Sequence, residues 1–191
     1  MPVANERIDE DAALMMRVSR GDLRAFETLV ERYRLRALNF ACRFLGDREA
    51  AEDVAQEAFI RVYHARHRYR SRASFSTWFF RILSNLCLNE IRRRKRREEQ
   101  LQPESTPAIL QPDLSVSLDT RYQQQELGAA VRCALAELPD KQRVAIILQR
   151  FDGMDYDEIA SVMKMSRGAV DGLLSRAKES LRRRLSAHCA Q

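Results

Sequence analysis

Aromatic and cationic residues are concentrated in one stretch, SFSTWFFRILSNLCLNEIRRRKRR, running from Ser74 to Arg97. Phe75, Trp78, Phe79 and Phe80 can stack on unpaired bases, and the six consecutive basic residues from Arg92 to Arg97 can neutralise phosphates. An element carrying both can hold single-stranded nucleic acid. A second reading stays open from these residues alone: a buried aromatic helix with a solvated basic end, since charge runs are commonly solvated faces.

Two further constellations carry chemistry. Asp53, Gln56 and Glu57 are spaced by three and four, which places them on one helix face. An acidic face on a basic chain suits a basic protein partner rather than DNA, although an ordinary solvated face has the same pattern. The segment YDEIASVMKMSRGAVDGLLSRAKESLRRRL has the pattern of a helix-turn-helix, whose second helix can enter the major groove. Ala160, Val162, Val170 and Leu173 would fill the crossing. Ser166, Arg167 and Ala169 lie at the N-terminal end of the second helix, where groove contacts are made. Arg176, Lys178, Arg182, Arg183 and Arg184 can meet phosphates.

The elements that must position these residues read as helices. The chain has 191 residues, only 6 glycines and 5 prolines, and a net charge of +6 that points to an anionic partner. Helices are expected at Asp11–Ser19, at Leu23–Leu45 behind an Asp22 cap, from Arg48 after the Gly46-Asp47 stop, and at Phe75–Arg97. Glu98 to Tyr122 holds three prolines among Gln, Ser and Asp, loses periodicity, and reads as a flexible linker. Beyond it, a helix spaced by Leu127, Val131, Leu135 and Leu138 should end at Pro139. Helices at Asp140–Phe151, Tyr156–Met163 and Arg167–Arg184 should follow, the last capped by Ser166. The expected fold is all-α: two small helical domains, 1–97 and 123–191, joined by the linker 98–122, the second containing the helix-turn-helix.

Other functions are less well served. The cysteines Cys42, Cys87, Cys133 and Cys189 are scattered, and His64, His67 and His188 add too little for a closed metal site. No nucleophile–base pair, glycine-rich phosphate loop or carboxylate pair stands out, so neither catalysis nor a cofactor is expected. The apolar runs are too short to span a bilayer, and a cytoplasmic protein without membrane insertion is expected.

Three stretches in order resemble bacterial sigma factors of the extracytoplasmic-function group. GDREAAEDVAQEAFIRVYHARHRY resembles their core-polymerase-binding region, and FSTWFFRILSNLCLNEIRRRKRR their minus-ten-reading and melting region. LAELPDKQRVAIILQRFDGMDYDEIASVMKMSRGAVDGLLSRAKESLRRRL resembles their minus-thirty-five-reading region. The resemblance implies that Asp53, Gln56 and Glu57 bind core RNA polymerase, whose beta and beta-prime subunits are the expected partners. It implies that Arg72, Ser74, Phe75, Ser76, Trp78 and Arg81 hold melted minus-ten bases. Asn85, Asn89 and Arg92 lie on one face of the following helix, where amides meet base edges and arginine holds phosphate or guanine. Ser166, Arg167, Ala169, Val170, Ser175, Arg176 and Lys178 fall where the minus-thirty-five duplex is read. An anti-sigma partner is implied as well. Within the Ser74–Arg97 stretch, Phe79, Ile82 and Leu86 are expected to face inward.

Two residue pairs depart from the family pattern. Asp171-Gly172 stands where a basic or small polar residue is common. Its carboxylate can repel phosphate or accept from a cytosine amino group. Asn89-Glu90 stands where an aspartate is common, which leaves open which of the two takes that role. The rival function is a stand-alone helix-turn-helix regulator, which would also need a dimerisation or ligand-sensing unit.

Overall fold

The computed structural model describes residues 4–70, 74–100 and 130–189. All its regular elements are helical: α1 (Ala4–Ser19), α2 (Leu23–Leu45), α3 (Arg48–His64), a short 3-10 turn (Arg66–Arg68), α4 (Phe75–Gln100), α5 (130–136), α6 (Asp140–Arg150), α7 (Tyr156–Met163) and α8 (Arg167–Cys189).

Local chemistry sets the boundaries. The Asp22 carboxylate accepts from the Ala25 amide and begins α2. That bond and Arg17 hold its carboxyl below the ordinary carboxylate range. Gly46 ends α2 in the left-handed region at φ 71°, where a side chain would be strained. Asp47 then caps α3 through the Glu49 and Ala50 amides. Three helices run further than expected: α1 starts at Ala4, α4 reaches Gln100 and α8 reaches Cys189. Segment 101–129, which includes most of the expected linker, lies outside the described residues, as does the start of the helix expected before Pro139.

The first domain packs α1, α3 and α4 around α2. Its centre is aromatic. Tyr33 meets Phe75 edge-on at 5.0 Å and Phe79 at 5.3 Å, Phe59 meets Phe79 at 5.1 Å, and Phe40 meets Phe80 at 5.6 Å. Asp11 ties α1 to this centre by accepting from the Tyr33 hydroxyl at 2.6 Å and from Arg32 at 2.7 Å. Burial and that carboxylate raise the Tyr33 phenol well above its ordinary value.

In the second domain, α6 and α7 pack on α8 over Leu148, Ile159, Val162, Val170 and Leu174. The two domains are not separate bodies. α2 packs on α6, α4 packs on α7, and the apolar core runs continuously from one domain into the other.

Candidate nucleic-acid and polymerase interface

On α3, Asp53 and Gln56 are exposed and Glu57 is half-exposed, while Ala51, Val54, Ala55, Ala58 and Val62 of the same helix are buried. Spacing alone produces this division: the apolar stripe turns inward and carries the polar trio outward. Arg61 donates to Glu57 at 2.7 Å, one turn away, so the patch is acidic with a basic border. Ile60, also exposed, adds an apolar side chain one turn beyond Gln56 and Glu57.

α4 is begun by Ser74, whose hydroxyl accepts from the Thr77 amide at 3.2 Å and contacts the hydroxyls of Ser76 and Thr77. Phe75, Phe79, Phe80, Leu83, Leu86 and Cys87 all point into the core, and Ile82 packs against it half-buried. Burial pushes the Cys87 thiol up to about 12. Asn85, Asn89 and Arg92 share the exposed face, as their spacing demands. Arg92 donates to the Asn89 amide oxygen at 3.1 Å, which orients both.

One expected base-holding residue is placed differently. Phe75 has 0% of its surface exposed and is wedged against Tyr33, Tyr69 and Trp78, so it offers no face to a base. It is a core residue that supports Trp78. Trp78 is half-buried, leans on Tyr69 at 5.2 Å and keeps some surface at the domain's edge. Arg72 lies outside the described residues.

The basic run also divides. Glu90 is bridged by Arg93 at 2.8 Å and Arg94 at 3.1 Å, and Arg94 reaches on to Asp47. Arg93 and then Arg94 hold the Glu90 carboxyl below its ordinary range. Glu90 is thus committed to its own helix, and of the Asn89-Glu90 pair it is Asn89 that faces outward. Lys95, Arg96 and Arg97 are exposed.

The helix-turn-helix is built by its caps. Asp155 and Glu158 form a reciprocal capping box at the start of α7. Lys164 turns the chain at φ 53°, and Ser166 accepts from the Ala169 amide to start α8. Ser166, Arg167, Ser175, Arg176 and Lys178 are exposed and Ala169 is half-exposed. Val170 is 0% exposed. It fills the crossing between α7 and α8, and in that position it cannot also touch a base. Asp171 is exposed, and the Arg176 guanidinium lies alongside Gly172.

The domain interface contributes groups that no sequence motif marked. Arg143 of α6 donates to the Phe44 carbonyl of α2 at 2.8 Å and to the carbonyls of Ala136 and Leu138. Arg36 pairs with Asp152 at 3.4 Å, and Arg43 lies 4.2 Å from the Phe151 ring centroid. These pairs are about a hundred residues apart in sequence, too far for periodicity to reveal. Arg81 and Asn85 of α4 line one cleft with Lys141, Lys164 and Met165 of the second domain. Among the described residues, no three His, Cys, Asp or Glu gather as a metal site, and no helix is long and apolar enough to cross a membrane.

Family models match both halves: Sigma-70 region 2 over residues 29–97, and Sigma-70 region 4 over residues 128–181. The chain is 35% identical over 178 residues to the RNA polymerase sigma-H factor of Pseudomonas aeruginosa, covering 91% of this chain and 92% of that protein. The chain belongs to the extracytoplasmic-function sigma factors. It is also 33% identical to the sigma factor SigW of Bacillus subtilis, with 88% of this chain and 92% of SigW covered. Among solved structures, CnrH in complex with the cytosolic domain of CnrY matches 94% of this sigma factor and 99% of that chain, at TM-score 0.69 and 28% identity. The sigma factor RpoE of Bartonella quintana, in complex with the anti-sigma factor NepR, shares the fold at TM-score 0.67 and 23% identity.

Proposed function

We propose that this sigma factor binds core RNA polymerase through the Asp53–Gln56–Glu57 face and directs it to promoters. α4 reads and opens the minus-ten element, and the helix-turn-helix reads the minus-thirty-five element. The observation that carries this reading is the division of α4. Its buried aromatics fix the helix, and the face they leave outward carries Asn85, Asn89 and Arg92, side chains suited to base edges and phosphates.

Melting follows from capture. Extruding a base costs a few kcal/mol, and a surface that stacks and hydrogen-bonds the extruded base offsets that cost. Trp78, half-buried against Tyr69 and Phe75, supplies the stacking surface in this reading. RNA synthesis itself belongs to the polymerase. On α8, Ser166, Arg167 and Ala169 approach base edges, while Ser175, Arg176 and Lys178 hold phosphates. Because CnrH and RpoE were solved with CnrY and NepR, an anti-sigma partner is part of the proposal.

The test is transcription with purified sigma factor and core polymerase on fragmented genomic DNA. Discrete transcripts that require both proteins are expected. If the sigma factor adds no promoter-specific transcript, the proposal fails.

A further inference from the structure

Asp47 divides its carboxylate between two helices. One oxygen, Oδ1, accepts from the Glu49 amide at 3.0 Å and the Ala50 amide at 3.4 Å, and so starts α3. The other, Oδ2, accepts from Arg94 of α4 at 2.8 Å. Among the described residues this is the one side-chain hydrogen bond that joins α4 to another part of the fold.

The bond lies where apolar packing runs out. Leu86 and Cys87 are the last buried residues of α4, and Leu88 and Ile91 pack half-buried beyond them. After Ile91 the helix reads RRRKRREEQ, with no apolar side chain to bury. Adjacent cations repel one another, and a helix end without packing frays. Asn89 and Arg92 stand at this margin. Arg94 lies five positions beyond Asn89 and two beyond Arg92, which puts it on the opposite side of the helix at 3.6 residues per turn. Glu90 accepts from the same guanidinium at 3.1 Å and steadies it beside Asp47.

We infer that Asp47 is a positioning residue for minus-ten reading. Through Arg94 it holds the inner side of the last turns of α4 against the corner between α2 and α3, and so sets the direction in which Asn89 and Arg92 point. This inference rests on the reading of α4 given above. Arg92 donates to the Asn89 amide oxygen, so the two are oriented as one unit. The Arg94 and Asp47 side chains are 26% and 28% exposed, and a partly solvated pair biases an equilibrium by a few-fold. The aromatic core keeps the domain folded without it. What the pair governs is where the end of α4 lies.

The experiment uses the full chain with core polymerase on a promoter fragment recovered by the transcription test above. Asp47→Asn separates the two roles of the carboxylate. Its amide oxygen still caps α3, but its NH2 group cannot accept from Arg94. Melting temperature and co-migration with core polymerase should match wild type, while promoter opening, read by permanganate, should fall about fivefold. Arg94→Gln leaves the cap untouched and should fall equally, and the two substitutions together should fall no further. Arg94→Lys keeps a cation for Asp47 and should recover most of the opening. In an Asn89→Ala background, Asp47→Asn should add less than twofold, because the unit it orients is already broken.

Opening at the wild-type level in Arg94→Gln overturns the positioning role, whatever Asp47→Asn does to the cap. A full fivefold loss added on top of Asn89→Ala overturns it too, since Asp47 would then act by a route independent of Asn89. If Asn89→Ala opens the promoter as well as wild type, the reading of α4 itself fails and the positioning role falls with it.

Discussion

Arg143 donates to the Phe44 carbonyl at 2.8 Å across the boundary between the two domains. The same guanidinium accepts no help from solvent: its side chain is buried, and its remaining bonds go to Ala136 and Leu138 at the end of α5. One cation therefore serves the C-terminal carbonyls of two helices from different domains. Burial lowers its pKa from the ordinary arginine value, with Asp140 opposing that shift. Lysine cannot reproduce the fork. Arg143→Lys should leave buried carbonyls unpaired and cost about 2 kcal/mol, as for hydrogen bonds to charged groups. Urea unfolding of the variant should show a lower midpoint with an unchanged slope.

The domain interface should also respond to pH. Burial lifts the Asp152 carboxyl from 3.8 to about 6, against the opposing pull of Arg36 and Arg43, the charged groups that face it. With the domains packed, Asp152 therefore binds a proton more tightly than it would in a chain whose domains had separated. That contribution to domain packing is complete below about 3.8 and is lost as pH rises through about 6. Scattering should report a more compact chain near pH 5 than near pH 8, and Asp152→Asn should flatten that dependence. A wild type that expands on acidification contradicts this sign.

Asn85 and Phe75 should separate function from stability on one helix. Asn85 is exposed, so Asn85→Ala should leave the melting temperature unchanged. It should weaken promoter opening by about tenfold, the scale of one amide–base contact. Phe75 is fully buried, and Phe75→Ala should cost about 3–5 kcal/mol before any effect on DNA is read. Permanganate reactivity of promoter thymines, measured beside thermal unfolding, distinguishes the two.

The limits of the sequence are visible in these residues. Caps placed the helices: Asp22, the Gly46-Asp47 stop, Pro139 and Ser166 stand where α2, α3, α6 and α8 start or end. Family motifs placed Phe75 and Val170 near DNA because motifs carry position and not burial. Helical phase held the correction: Phe75, Phe79, Leu83 and Leu86 recur at spacings of four, four and three, a core stripe. Val170 likewise had been placed in the helix crossing by its own spacing. The contacts between the domains left no local trace, because Arg36 and Asp152 belong to different domains and meet only when those domains pack.

On α3, charge reversal tests the polymerase face. Asp53 is exposed, and Glu57 is half-exposed and paired with Arg61, itself exposed. An exposed pair of this kind contributes roughly 0.2–1 kcal/mol, so Asp53→Lys and Glu57→Lys should both fold normally. Each should weaken binding to core polymerase, and more so at low salt, where charge complementarity between partners is least screened. Co-migration of sigma factor with core enzyme on gel filtration, beside unchanged circular dichroism, gives the reading. Full binding by both variants would return this face to the solvent.

Gly172 offers a gain instead of a loss. It sits inside α8 with helical neighbours on both sides, and its φ is not in the left-handed region. The nearest atoms a Cβ there would meet belong to the Arg176 guanidinium, at 3.4 Å, the far end of a flexible side chain. Gly172→Ala should therefore stabilise the second domain by up to about 1 kcal/mol, the interior cost of glycine. That 3.4 Å distance is ordinary van der Waals contact, so Arg176 keeps its place, and minus-thirty-five affinity and discrimination between base sequences should both stay unchanged. Melting temperature and binding to a series of single-base promoter variants measure the two effects in one preparation.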